Sequence, residues 1–227
     1  MLSPGGVLFL SSKLRLAVLV SGGGSTLQNI IDAIESGALV AEIVLVVSSR
    51  RDAFAVERTK RHALPSIILR PRDYQDDTSF DLALCGVLEG ARPDLVILAG
   101  YLAILGRETL GAYAGRIMNI HPSLLPAFGG RGWYGRRVHA AVLRHGCKVS
   151  GATVMFVTPE VDAGPIILQE AVPVLDHDTV ETLAARVAGV EQKLYPRAIK
   201  LYSAGRLSLA GRRVQICEEA ENEESTN

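Results

Sequence analysis

Short apolar runs rich in β-branched residues alternate along this chain with stretches whose apolar positions recur every three to four residues. That is the pattern of a parallel sheet flanked by helices. Leu14 to Val20 predicts a first strand, followed by Ser21-Gly22-Gly23-Gly24 and a helix with Leu27, Ile30, Ile31 and Ile34 on one face. Ser25 and Gln28 have capping-box spacing at its start, and Gly37 supplies its stop. Ile43 to Val47 predicts a second strand, continuously apolar as a strand buried on both faces should be, with a helix over Phe54 to His62 behind it. A shorter third strand, Ser66 to Leu69, precedes a helix marked by Phe80, Leu84, Val87 and Leu88. Leu95 to Ala99 and Ile117 to Ile120 predict the fourth and fifth strands.

Gly135 to His145 predicts another helix, and Val149 to Val157 and Ile166 to Val174 two more strands. The link between those strands is too short for a crossover, so they form an antiparallel hairpin. A last helix begins at Asp178, with Glu181 placed for a capping box, and runs through Leu183, Val187, Val190 and Leu194. With no internal repeat and no linker, the expectation is one α/β domain over residues 14–210. It holds a mostly parallel twisted sheet of about seven strands, helices on both faces and an antiparallel hairpin towards its C-terminal side.

Composition adds limits. A hydrophobic share of 48% supports one core without disulfide staples. Cys85, Cys147 and Cys217 are odd in number and far apart, which fits neither a disulfide framework nor paired zinc ligands and makes a cytoplasmic setting the default. Lysine plus arginine (24) balance aspartate plus glutamate (24), so no field of one sign gathers nucleic acid or an anionic membrane. Residues 1–13 are expected to form an extension without structure: the run Val7 to Leu10 is too short for a signal-peptide core. An organelle-targeting reading of the acid-free stretch before Asp32 has compositional support only. Residues 211–227, with Glu218, Glu219, Glu221, Glu223 and Glu224, are expected to form an acidic, solvated tail.

Three constellations carry candidate chemistry. The glycine loop leads from a strand into a helix, where unpaired backbone N–H groups and the positive helix end favour a phosphate. It departs from the dinucleotide fingerprint: Leu27 stands at the third glycine position, and the second strand runs into Ser48-Ser49-Arg50-Arg51 without an acidic residue. NAD is therefore disfavoured, while the serines and arginines leave an NADP-dependent reductase as an alternative. The second constellation is Asn119-Ile120-His121-Pro122-Ser123-Leu124-Leu125-Pro126. Residues two apart on a strand share a face, and Pro122 holds His121 extended at the strand end, where α/β sheets bind ligands. His62, His139, His145 and His177 are read as surface or helix-face residues. The third is Val161-Asp162-Ala163-Gly164-Pro165. Such an aspartate is usually structural, but a carboxylate beside an imidazole fixes its tautomer and raises its pKa, which suits acid–base work.

Taken together, Ser21 to Gln28, Asn119 to Pro126 and Asp162 to Pro165 resemble, in order and spacing, the signature of the phosphoribosylglycinamide formyltransferase family, over roughly Leu14 to Leu207. The resemblance implies a Rossmann-like formyltransferase fold. It also implies transfer of the formyl group of 10-formyltetrahydrofolate, a cosubstrate, to the amine of 5-phosphoribosylglycinamide in purine synthesis, with no metal. By this similarity Asn119 and His121 contact the formyl oxygen, His121 as proton donor, and Asp162 orients His121 and relays protons. Gly24, Ser25, Thr26 and Leu27 hold the substrate phosphate and Glu191 its ribose. The folate lies against Leu102, Ala103, Ile104 and Leu105, Asn119, and the turn containing Thr158, Val161 and Asp162. The implied partners are small molecules, not nucleic acid or membrane, and the protein is expected as a monomer or homodimer.

There are departures from the family pattern. Asp77 stands where many members carry a folate-contacting arginine, with Arg72 the nearest basic residue, and Met155 replaces a frequent histidine. The loop Gly129 to Gly135 is longer than in short members, and Trp133 and Tyr134 within it are a candidate lid over the folate. Formyltetrahydrofolate hydrolase, of the same fold, is the nearest alternative. Hydrolases add an N-terminal regulatory domain, and methionyl-tRNA formyltransferases a C-terminal one.

Overall fold

In the computed structural model, which describes residues 13–217, strand β1 (Leu14–Val20) sends Leu16, Val18 and Val20 to one face of a sheet and Ala17 and Leu19 to the other. All five are fully buried. Burial on both faces is what a continuous apolar run in a parallel sheet means. Two cores result. Helices α1 (Ser25–Glu35) and α6 (Val180–Ser203) cover the first face, with Leu27, Ile30, Leu183 and Val187 packed on Leu16 and Val18. Helix α3 (Asp77–Ala91) covers the second, with Phe80, Leu84 and Leu88 packed among Ala17 and Leu19.

β1 pairs in parallel with β2 (Ala41–Ser48) and β4 (Leu95–Ala99), β2 with β3 (Ser66–Ile68), and β4 with β5 (Ile117–His121). β6 (Val149–Phe156) pairs antiparallel with β5, and β7 (Ile166–Pro173) antiparallel with β6, so the expected hairpin is present. Helices α2 (Phe54–Arg61), α4 (Arg107–Ala112) and α5 (Arg136–Arg144) complete the domain.

The sheet has nine strands rather than about seven, because the hairpin of β8 (Leu207–Ala210) and β9 (Arg213–Ile216) adds to its edge, in the order β3-β2-β1-β4-β5-β6-β7-β9-β8. These strands are four residues each and mostly exposed, and only Ile166 and Arg213 join β7 to β9, so no apolar run announced them. The boundary expected after residue 210 therefore falls inside a hairpin. Residues 1–12 and 218–227, on which the N-terminal extension and the glutamates of the acidic tail fall, lie outside the described residues.

Two capping expectations change. Gly24, with φ 69°, caps α1, and Ser25 and Gln28 form no box. The capping box of α6 is Thr179 with Thr182, while Asp178 instead holds Arg186 in an ion pair at 2.6 Å. α6 also contains Pro196, which has no N–H for the Gln192 carbonyl four residues earlier; Asn29 of α1 donates to that oxygen instead.

Candidate active site

The chain leaves β1 towards α1 on one face and leaves β4 towards α4 on the other, and a crevice opens between the two connections. Such a switch point is where open α/β sheets take ligands. Here it holds a cavity of about 800 Å³.

One end is the start of α1. The first helical hydrogen bond runs from the Gln28 N–H to the Gly24 carbonyl, so the N–H groups of Ser25, Thr26 and Leu27 precede the helical ladder. Ser25 and Thr26 line the cavity, whereas the Leu27 side chain is buried in the core and only its backbone faces the loop. Gly24 serves packing: a Cβ there would stand 2.8 Å from that of Ala55 in α2. Arg58, which sequence reasoning passed over, donates to the Gly23 carbonyl at 3.0 Å and to Gln28 at 2.8 Å. It braces the loop and brings positive charge to it. Nothing in the spacing of α2 marked that role.

The expected reacting centre assembles at the other end. Asn119 and His121 stand two apart on β5 and both face the cavity. Asp162 reaches them from the link between β6 and β7. Its carboxylate accepts from Asn119 Nδ2 at 3.4 Å and from the Gly130 N–H at 3.0 Å, and one of its oxygens lies 3.5 Å from His121 Nδ1. His121 is buried, and its Nε2–H donates to the Phe128 carbonyl at 2.8 Å. An acceptor therefore faces each ring nitrogen, and only the imidazolium can donate to both at once. The backbone that makes this meeting is specialised. Asp162 sits at φ 55°, a left-handed conformation that aspartate tolerates better than most residues. A Cβ on Gly164 would fall 1.8 Å from the Phe156 carbonyl oxygen, so only glycine lets the link turn so close to β6.

Leu102, Ala103, Ile104 and Leu105 form one wall in irregular backbone after β4, and Thr158 to Asp162 form the facing turn. Ser21 accepts from the Leu102 N–H at 2.8 Å, which ties the two switch-point loops together. The Tyr101 hydroxyl is buried in this wall without a partner, and burial pushes its pKa up. Neither Asp77 nor Arg72 reaches the cavity; the arginines on its wall are Arg131 and Arg136. Met155, opposite Asn119 in the β5–β6 register, contributes a thioether. Trp133 packs edge-on against Phe128 at 5.8 Å, and Tyr134 is more exposed beneath Arg137.

Glu191 faces the cavity from α6, set by Tyr195 one turn later on the same helix face. The buried Tyr195 hydroxyl donates to the carbonyls of Met118, at 2.8 Å, and Leu98, at 3.2 Å, fixing α6 over β4 and β5. Desolvation pushes the Glu191 carboxyl up to about 7.

The expectation for the other histidines needs one correction. His139 is neither a surface nor a solvated helix-face residue: it is 4% exposed and lines the cavity from α5. Its neighbours Val138, Ala141 and Val142 are the buried stripe of α5, and that stripe was the available signal. Of the groups proposed for an NADP phosphate, Ser48, Ser49 and Arg50 are engaged within the protein. The Ser48 hydroxyl donates to the Arg50 carbonyl, Ser49 bonds Ser21, and Arg50 pairs with Asp52 at 2.7 Å. Among the described residues no group of three or more histidine, cysteine, aspartate or glutamate side chains is placed to hold a metal ion.

A mostly parallel sheet with a ligand crevice at its switch point, and an amide, an imidazole and a carboxylate converging there, define an α/β protein with a candidate catalytic centre. The formyl transferase family model matches residues 14–199, and the chain belongs to that family. It is 40% identical over 195 residues to phosphoribosylglycinamide formyltransferase of Haemophilus influenzae, covering 86% of this chain and 90% of that one. It is 42% identical over 205 residues to the trifunctional purine biosynthetic protein adenosine-3 of Bos taurus, covering 90% of this chain but only 20% of the relative, so it spans about a fifth of that multifunctional protein. Glycinamide ribonucleotide transformylase 1 of Symbiobacterium toebii superposes with a TM-score of 0.88 at 44% identity, over 94% of this chain and 99% of that structure.

Proposed function

We propose that this chain transfers the formyl group of 10-formyltetrahydrofolate to the amine of 5-phosphoribosylglycinamide, giving formylglycinamide ribonucleotide in purine biosynthesis. The observation that carries the reading is the convergence of Asn119, His121 and Asp162 in one cavity with a helix start suited to phosphate and an apolar wall suited to a flat heterocycle.

The chemistry follows from those groups. Attack by an amine on a formyl carbon moves negative charge onto the formyl oxygen, which needs donors already in place. Asn119 Nδ2 and the His121 ring are those donors. His121 supplies the proton that the departing folate nitrogen requires, and Asp162 holds the ring and accepts a proton shed by the amine, directly or through water. The N–H groups of Ser25, Thr26 and Leu27, with Gly24 permitting close approach, hold the phosphate. Glu191 hydrogen-bonds the ribose hydroxyls. The backbone of Leu102, Ala103, Ile104 and Leu105, with Thr158, Val161 and Asp162, holds the pterin, and Asn119 lies between the two ligands.

The protein is taken to act on small molecules as a monomer or homodimer in the cytoplasm, without nucleic acid. Its balanced charge supports the last point, and among the described residues no helix is long and apolar enough to cross a membrane. The test is to incubate the purified protein with 10-formyltetrahydrofolate, with and without glycinamide ribonucleotide, and follow both products. Matched, acceptor-dependent formation of deformylated folate and formylated ribonucleotide is expected. Folate loss without ribonucleotide product would make it a hydrolase, and no turnover would overturn formyl transfer.

A further inference from the structure

His139 lines the cavity from α5, together with Ala184, Ala188 and Glu191 of α6, the helix that α5 packs against. Its Nδ1 is buried and has no hydrogen-bond partner, and among the described residues no protein group bonds either ring nitrogen. A buried polar atom left unpaired opposes folding, and native proteins rarely keep one without a use. Packing does not require it, because leucine or methionine would continue the stripe of Val138, Ala141 and Val142. An imidazole at this place is accounted for when a ligand completes its hydrogen bonding.

The ring's charge state narrows the choice of ligand. Desolvation, and secondly the nearby His121, push the His139 pKa down, so the ring is neutral near pH 7. A neutral imidazole donates at one nitrogen and accepts at the other, which matches an amide or amine rather than a phosphate. Ser25 and Thr26, the proposed phosphate end, line the same cavity as His121, His139 and the α6 residues Ala184, Ala188 and Glu191, so a substrate that reaches from the phosphate end to His121 shares its cavity with His139.

We infer that His139 is a substrate-contacting residue of the acceptor subsite, hydrogen-bonded to the glycinamide arm of the phosphoribosyl substrate. The inference rests on the formyl transfer proposed above. An amine held through one of its N–H bonds keeps its lone pair free for the formyl carbon, so the contact orients the nucleophile as well as binding it.

The test compares wild type with His139→Leu, His139→Met and His139→Gln. Glycinamide ribonucleotide alone and 10-formyltetrahydrofolate alone are titrated by calorimetry, alongside thermal melts and steady-state rates. The apolar variants are expected to bind the ribonucleotide at least tenfold more weakly, to bind the folate within twofold of wild type, and to melt at the same temperature or higher. The glutamine variant, which keeps a donor and an acceptor, is expected to recover much of the lost affinity. Ribonucleotide binding within twofold of wild type in a folded apolar variant would overturn the assignment, as would equal weakening of both ligands. If leucine does not fold, the more pliable methionine variant carries the comparison. A wild-type protein that makes no formylated product would sink the parent reading instead, an outcome visible before any variant is measured.

Discussion

Asn29 of α1 donates from Nδ2 to the Gln192 carbonyl at 2.8 Å, taking up the oxygen that Pro196 leaves without a helical partner. Gln192 directly follows the cavity's Glu191, so one side-chain bond joins α1, the helix at one end of the cavity, to the helix that carries the carboxylate. Asn29→Ala strands that carbonyl. It should cost about 1 kcal/mol of stability, a fall of roughly 2–4 °C in Tm for a domain of this size, and raise KM for the acceptor severalfold while KM for the folate stays put. Thermal melts and two-substrate kinetics check this; a shift in folate KM alone would contradict it.

His121→Ala removes the proposed proton donor, and Asp162→Asn removes the carboxylate that faces His121 Nδ1. Each should lower kcat by about a hundredfold or more, the scale of one positioned acid–base group, with little change in binding of either substrate. Circular dichroism and melting curves separate this from misfolding. The distinction matters for Asp162, whose carboxylate also accepts the Gly130 N–H. Loss of fold in the asparagine variant would assign that turn a structural role.

The raised pKa of Glu191 gives a stability prediction with a definite sign. Because the folded-state value, about 7, lies above the ordinary 4.5, the folded protein holds this proton more tightly than the unfolded chain. The contribution is fully present below pH 4.5 and is lost as pH rises to about 7. Against the non-titrating Glu191→Gln variant, wild type should therefore weaken across that window, by up to about 3 kcal/mol before allowance for the side chain's partial exposure. Denaturant titrations at pH 5 and pH 8 measure it, and parallel curves for the two proteins would refute the desolvated site.

Trp133 and Tyr134 test the covering role of the long glycine-rich loop. Trp133 is anchored on Phe128, whose carbonyl receives the His121 N–H, whereas Tyr134 lies beneath the Arg137 guanidinium. The double change Trp133→Ala, Tyr134→Ala should weaken folate binding severalfold in a fluorescence or calorimetric titration. Unchanged affinity would show that the loop does not cover the folate.

Strands buried on both faces were legible because burial leaves a continuous apolar run: β1, β2 and β4 all carry one. β8 and β9 carry none, being short and exposed, and α4, with six residues and a glycine, is too brief for helical periodicity to register. At the site, motif spacing sufficed for Asn119, His121 and Asp162, whose relative placement depends on strand alternation and a tight Gly-Pro turn. It failed for Arg58, Tyr101 and His139, because each reaches the cavity or its loop through packing between elements distant in sequence. The capping assignment at α1 failed for a tertiary reason. Gly24, at positive φ, packs so close to Ala55 of α2 that a Cβ would not fit, a constraint no capping pattern contains.

β5 is parallel to β4 and antiparallel to β6, and the centre lies on that seam, with His121 supplied from one side and Asp162 from the link beyond β6. The earlier strands can pair without Asp162, but the carboxylate arrives only when the antiparallel hairpin docks. Distant pairings of this kind form late, because loop closure must come before the contacts that repay it. On refolding from denaturant, enzymatic turnover should therefore return more slowly than the far-ultraviolet signal of the helices, so that activity reports the closing of the seam.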